Sequence, residues 1–179
     1  ASQKMMEPRY RGVPSEDIPE VRLPGGAAVR VIAGAVGRTR GPVRDIVIDP
    51  EYLDVTLPSG SRFDHPTKPG HTVVAYVIEG QGLFSAAEGV NSFDFEPASY
   101  FDFERSPALG NGSVVLFEDG DRVEAAAGDA AVRFLLFSGR PLREPVAWQG
   151  PIVMNTQEEL RTAFREFRAG KFIRGARSG

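Results

Sequence analysis

Apolar residues recur mostly at every second position along this chain. In Tyr52-Leu53-Asp54-Val55-Thr56-Leu57, the residues Leu53, Val55 and Leu57 share one face, and Asp54 and Thr56 share the other. That period of two marks a half-buried strand. Ala28-Val29-Arg30-Val31-Ile32 predicts an earlier strand, and Thr72-Val73-Val74-Ala75-Tyr76-Val77-Ile78 predicts the most apolar one. Segments 113–117, 122–126 and 132–138 follow, divided by Glu118-Asp119-Gly120-Asp121 and by Gly128-Asp129. Pro58-Ser59-Gly60-Ser61 predicts a turn. Two glycines one residue apart in Glu79-Gly80-Gln81-Gly82 predict a tight hairpin with positive φ, after which the chain resumes at Leu83-Phe84. Short strands at about ten-residue spacing with such turns predict a mainly β fold, an antiparallel sandwich or barrel.

One segment has the other period. Leu160, Ala163, Phe164 and Phe167 stand at i, i+3, i+4 and i+7, the apolar stripe of a helix. Thr156 and Glu159 match a capping box at its start, and Gly170 supplies a terminator. The stripe must be buried against something, by default the chain's own sheet. The domain organisation expected is an extended segment over 1–27, a β-barrel over 28–142, a connecting loop over 143–155, a C-terminal α-helix over 156–170 and a basic tail over 171–179.

At 179 residues and 41% hydrophobic composition, the chain buries a sizeable core without metal or disulfide help. It has no cysteine, which excludes disulfide scaffolds, zinc ribbons, iron–sulfur clusters and thiol nucleophiles. No apolar run nears the length of a membrane span and no signal-type segment opens the sequence, so no membrane role and a cytoplasmic location are expected. Residues 161–179 carry six basic groups and one acidic group, leaving 15 basic and 23 acidic residues elsewhere, a balance of −8. The plain reading of the basic end is a solvated helix face with a frayed terminus. With almost no aromatic residues interleaved there, nucleic acid is not the expected partner.

Only two histidines occur, His65 and His71, so an imidazole-built site has little to draw on. The stretch from Pro58-Ser59-Gly60 to Gly80-Gln81-Gly82 has the outline of a cupin first motif. In metal-binding cupins two histidines lie one residue apart, with a glutamate four or five residues further on. Here the glutamate slot falls at Val73 and the histidine slots near Pro66 or Thr67 and Lys68 or Pro69. A later histidine slot falls near Val123 or Glu124, and no histidine follows His71. His65 and His71 with an acid such as Glu79 form an alternative ligand set, an unconventional one. The plain reading makes His65 a loop residue and His71 a packing or hydrogen-bonding residue at a strand start. The acidic turn Glu118, Asp119 and Asp121 lacks the twelve-residue calcium-loop pattern.

Several strings together carry a family resemblance: Met5-Met6-Glu7-Pro8-Arg9-Tyr10, Phe134-Leu135-Leu136-Phe137-Ser138-Gly139-Arg140-Pro141-Leu142, Glu144-Pro145-Val146-Ala147-Trp148-Gln149-Gly150-Pro151, Val153-Met154-Asn155-Thr156 and Phe164-Arg165-Glu166-Phe167-Arg168-Ala169-Gly170-Lys171-Phe172. From about Met5 to Phe172 the chain resembles the pirins, specifically their second barrel and closing helix. The resemblance implies a cupin-type antiparallel β-barrel or jelly roll with a C-terminal α-helix. It also implies a longer two-barrel parent, linked to quercetin 2,3-dioxygenase activity and transcriptional co-regulation, whose iron is held by three histidines and a glutamate of the first barrel. None of those ligands has a counterpart here, so no catalytic residue and no cofactor is expected in this chain. Beginning at Ala1, the chain reads as a truncation, a proteolytic product or a natural single-barrel protein. Since that helix packs toward the first barrel in the family, Leu160, Phe164 and Phe167 are the expected interaction residues. Their partner is the missing N-terminal barrel or a second copy, with dimerisation or helix exchange.

Three functions compete: a metal-free structural or interaction half of a pirin-like protein, part of an iron-dependent quercetin 2,3-dioxygenase-like enzyme, and a small-molecule module with an apolar mouth near Tyr76, Phe84 and Phe117.

Overall fold

The computed structural model describes residues 10–84 and 108–172. Two compact units divide the chain: one runs Gly12–Pro141, and the other holds the chain from Leu142 onward. The expected basic tail beyond Phe172 and the opening residues up to Arg9 lie outside the described residues.

In the first unit, β1 (Glu20–Arg22), β2 (Ala28–Ala33), β5 (Glu51–Leu57), β6 (Arg62–Pro66), β7 (Thr72–Leu83), β8 (Leu109–Gly110), β9 (Val114–Leu116) and β10 (Arg122–Gly139) form one antiparallel sheet, and β3 (Ala35–Val36) pairs with β4 (Thr39–Arg40). The sheet starts before the first strand the pattern predicts, because Glu20–Arg22 pairs with Arg30 back to Ala28. Alternation in β2 and β5 turns Val29, Val31, Leu53, Val55 and Leu57 into a fully buried core.

Two strands are longer than the turn signals suggest, and their length folds the sheet over. The segment 79–82 is not a hairpin. β7 runs unbroken through it, and Gly80, at φ 74°, sits where the pairing with β10 slips. Likewise Gly128-Asp129 does not reverse the chain. Residues 128–131 bulge outward as an exposed insert, and β10 continues. A bulge adds backbone to one strand only, so the strand must bend and twist there. As a result β10 pairs through residues 132–138 with β5 and through 122–126 with β6. The turn joining β5 to β6 bends beside it, with Gly60 N donating to Gly128 O at 2.8 Å and Ala127 N to Ser61 O at 3.0 Å. Thus both walls grow from the same strands. Phe134 fills the space between, edge-on to Phe63 and to Phe84 at centroid distances of 5.7 and 5.0 Å.

The outward face of β5 carries Asp54, which is nevertheless buried. Arg133 of β10 covers it with two hydrogen bonds, Nε to Oδ1 at 2.9 Å and Nη2 to Oδ2 at 2.7 Å, and this bidentate bond to Asp54 raises the guanidinium pKa. Removing the cation leaves a desolvated carboxylate. Arg133→Met is therefore expected to destabilise the chain by about 2 kcal/mol, read as a lower urea midpoint with an unchanged m-value. Asp54→Leu combined with Arg133→Met should recover most of that loss. A double variant as unstable as Arg133→Met alone would contradict this account.

The second unit corrects the expected connecting loop. Within it β11 (Ala147–Gln149) and β12 (Ile152–Met154) form a two-stranded ribbon. Helix α1 (Gln157–Arg168) follows, with the predicted capping box: Glu159 N donates to Thr156 Oγ1 at 3.2 Å while Glu159 Oε2 accepts from Thr156 N at 3.0 Å. Gly170, at φ 67°, ends it. The helix's buried residues Leu160 and Ala163 pack with Ala147, Ile152 and Met154 of this ribbon, not in the barrel core as the default reading has it. Trp148 faces away from them, 73% exposed, and its indole Nε1 donates to Gly150 O at 2.7 Å.

Candidate functional site

Polar groups gather at one end of the barrel. β6 exposes Asp64 and buries Phe63 and His65, so His65 belongs to a strand interior and not to a loop. Its ring stacks on Phe63 at 5.6 Å and stands across the pairing from Val123. Glu51, at the start of β5, reaches it with Oε2 lying 3.0 Å from His65 Nε2. Among the described residues this buried nitrogen has no hydrogen-bond partner. Ser138, also buried, lies opposite Glu51 in the β10 register and opposite Val73 on its other side.

His71 precedes β7. Its backbone N donates to Lys68 O at 3.0 Å, and its buried ring Nδ1 has no hydrogen-bond partner among the described residues. Near it, Lys68 is hydrogen-bonded to Asp49. That bond holds the Asp49 carboxyl below its usual range, with His71 and Arg140 adding weaker pulls against desolvation. Both side chains are more than half exposed, so the pair is a surface one of under about 1 kcal/mol. With the folded pKa depressed, this small contribution is present above the unfolded value and is lost as pH falls through the folded one.

The alternative ligand set does not assemble. Glu79 is exposed on the outer face, paired in register with Arg133, while His65 points inward. Among the described residues no group of three histidine, cysteine, aspartate or glutamate side chains could hold a metal ion. Glu51 is the acid that sequence reasoning missed. It shares the Leu53 face of β5, one residue before the strand the pattern predicts, and only the bend that brings β6 over β5 shows that His65 is there. The acidic turn is occupied too: Asp119 Oδ1 accepts from Gly70 N at 2.6 Å, and Asp121 O accepts from Thr67 N at 2.8 Å. Nor do the proposed mouth residues share a mouth. Phe84 is buried in the core and Phe117 packs at its margin, whereas Tyr76 is on the outer face.

The slots for metal ligands can now be tested against the walls. Val73 and Val123 are core residues, Thr67 donates through Oγ1 to Gly120 O at 3.3 Å, and Pro66 and Lys68 are exposed. A transition metal needs several nitrogen and carboxylate donors converging on one point. This donor set does not fit an iron site.

A family model described as the pirin C-terminal cupin domain matches residues 52–173. The chain belongs to this family. It is 36% identical over 173 residues to a pirin-like protein of Caulobacter vibrioides, covering 96% of this chain and 55% of the relative. Against human pirin the identity is 34% over 177 residues, covering 96% and 53%. A Thermoplasma acidophilum protein provisionally named quercetin 2,3-dioxygenase is 32% identical, with 97% of this chain and 62% of that protein covered. Among solved structures, a quercetin 2,3-dioxygenase from Acinetobacter baumannii aligns with a TM-score of 0.72 and 26% identity, over 93% of this chain and 52% of that one. The chain therefore spans between half and two thirds of these relatives' length. The cupin-type antiparallel barrel with a C-terminal helix is thereby established, and no helix of the described residues is long and apolar enough to cross a membrane.

Two of the three expected interaction residues are already engaged in this pirin domain. Leu160 is buried and Phe164 partly buried against the ribbon, leaving Phe167, 58% exposed and edge-on to Phe172 at 6.1 Å. The stripe looked unpartnered because the ribbon strands are only three residues each and give a weak alternation signal.

Proposed function

We propose that this chain is the non-catalytic, metal-free cupin half of a pirin, which builds and docks rather than reacts. The observation supporting this reading is the barrel interior. Valines stand at two of the slots where ligands belong, and the single interior histidine meets a single carboxylate. Metal analysis after dialysis against chelator and reloading with ferrous or nickel ions should give far less than one equivalent bound per chain. One equivalent, lost in His65→Ala, would overturn the reading.

The docking part rests on the outer face. Register aligns Tyr52, Phe137, Val74 and Leu116 in one row, and Leu135, Tyr76 and Val114 in the next. Tyr76, Val114 and Leu116 are 38, 63 and 67% exposed. A contiguous apolar patch across four strands is what an interface leaves when its partner is absent. The partner proposed is the other half of a longer pirin polypeptide, consistent with the share of the relatives this chain covers. In the isolated chain, Tyr76→Glu with Leu116→Glu should keep the fold and reduce self-association in light scattering. Unchanged association would count against this face. The enzymatic alternative, a quercetin 2,3-dioxygenase-like activity, is on this reading a property of the whole protein whose iron site lies in that other half.

A further inference from the structure

The ribbon of the second unit has one face packed and one face exposed. Ala147, Ile152 and Met154 are buried with Leu160 and Ala163 of α1. Strand alternation sends Trp148 and Val153 to the other side, where they stand directly across the pairing from each other. Trp148 and Val146, two residues before it, are each 73% exposed, and Val153 is 37% exposed. The indole is fixed in place. Its Nε1, the one polar atom of the ring, donates to Gly150 O in the turn that joins the strands, so the surface it presents to solvent is apolar. Residues 145–157 carry no charged side chain, in a chain that is 25% charged. Loss of charge around an exposed aromatic is the compositional mark of an interface core.

We infer, resting on the two-half reading above, that the Trp148–Val153 face of the ribbon is a docking surface for the other half of the longer pirin polypeptide, separate from the apolar face of the barrel. Area favours this occupant. Three such side chains offer a few hundred Å², against about 800 Å² per partner in a stable interface between free molecules. A second copy is therefore not held by this patch alone. A body joined to the chain is present at an effective concentration in the millimolar range, at which so small a contact suffices. The relatives of which this chain covers 53, 55 and 62% carry their remaining length in the same polypeptide.

Trp148 is the one tryptophan of the chain, so its emission reports this face alone. Acrylamide quenching is to be compared for the chain by itself and for the longer polypeptide with its other tryptophans changed to phenylalanine. By itself the chain should quench freely at every protein concentration. In the longer polypeptide the emission should shift to the blue and the quenching constant should fall several-fold. Val153→Glu in the longer polypeptide should restore free quenching, and the first comparison does not depend on that variant folding. Free quenching of Trp148 in the longer polypeptide overturns the inference and leaves the two-half reading intact. Protection of Trp148 in the dilute chain by itself, or protection that appears only as the chain is concentrated, also overturns it, because the chain's own barrel or a second copy is then the occupant. A native protein no longer than this chain overturns the two-half reading and the inference together.

Discussion

Phe134→Ala should destabilise the barrel by about 3–5 kcal/mol, the range for emptying a large buried aromatic site. The side chain is fully buried, and Phe63 and Phe84 both meet its ring edge-on. Both neighbours stand on the wall opposite Phe134, Phe63 in β6 and Phe84 just beyond β7, where each strand is paired with the 122–127 end of β10, so neither collapses easily into the space left behind. The effect also reaches the polar end, since Phe63 stacks on His65. For a chain of this size each kcal/mol moves the thermal midpoint by about 2–4 °C, so calorimetry should show a fall of about 10 °C. Phe134→Leu, which keeps most of the volume, should fall by a smaller amount. Equal losses for the two variants would mean the site relaxes freely and is not jammed between walls.

Gly80→Ala should cost about 3 kcal/mol or more despite adding one methyl group. The residue has φ 74°, and a Cβ there would lie 2.0 Å from Ala131 O, with Val132 Cα also within 3.2 Å. Adopting positive φ by itself costs an alanine about 1 kcal/mol. The remainder comes from backbone that must move, and that backbone is the bulge that turns β10 from one wall to the other. Gly60 is the control, because it has φ 69° and nothing within 4 Å of a Cβ. Gly60→Ala should cost only the conformational part. A Gly80→Ala loss no greater than that of Gly60→Ala in denaturant titrations would show that the bulge yields to the methyl.

Much of the barrel was readable in advance. Period-two alternation assigned Leu53, Val55 and Leu57 to the interior, and the capping residues placed the helix, with Thr156 observed as its N-cap. The glycine pairs misled because the same residue serves two backbone needs. Positive φ at Gly80 was correctly expected, but it appears in a bulge within a continuous strand, not in a reversal. The candidate site was legible only in part. His65 and His71 could be named, yet the carboxylate beside His65 is Glu51, fourteen positions earlier, and not Glu79.

By itself the sequence determined the alternation of each strand, the helix and its cap, and the donors available for chemistry, because these depend on a few neighbouring residues and on composition. Only the tertiary structure decided which wall faces which, that Glu51 meets His65 across the barrel, that Leu160 is buried within its own unit, and that Tyr76 and Leu116 of the barrel are exposed. Such pairings depend on where long strands bend, and bending is settled by contacts among residues far apart in the chain, for which local periodicity carries no signal.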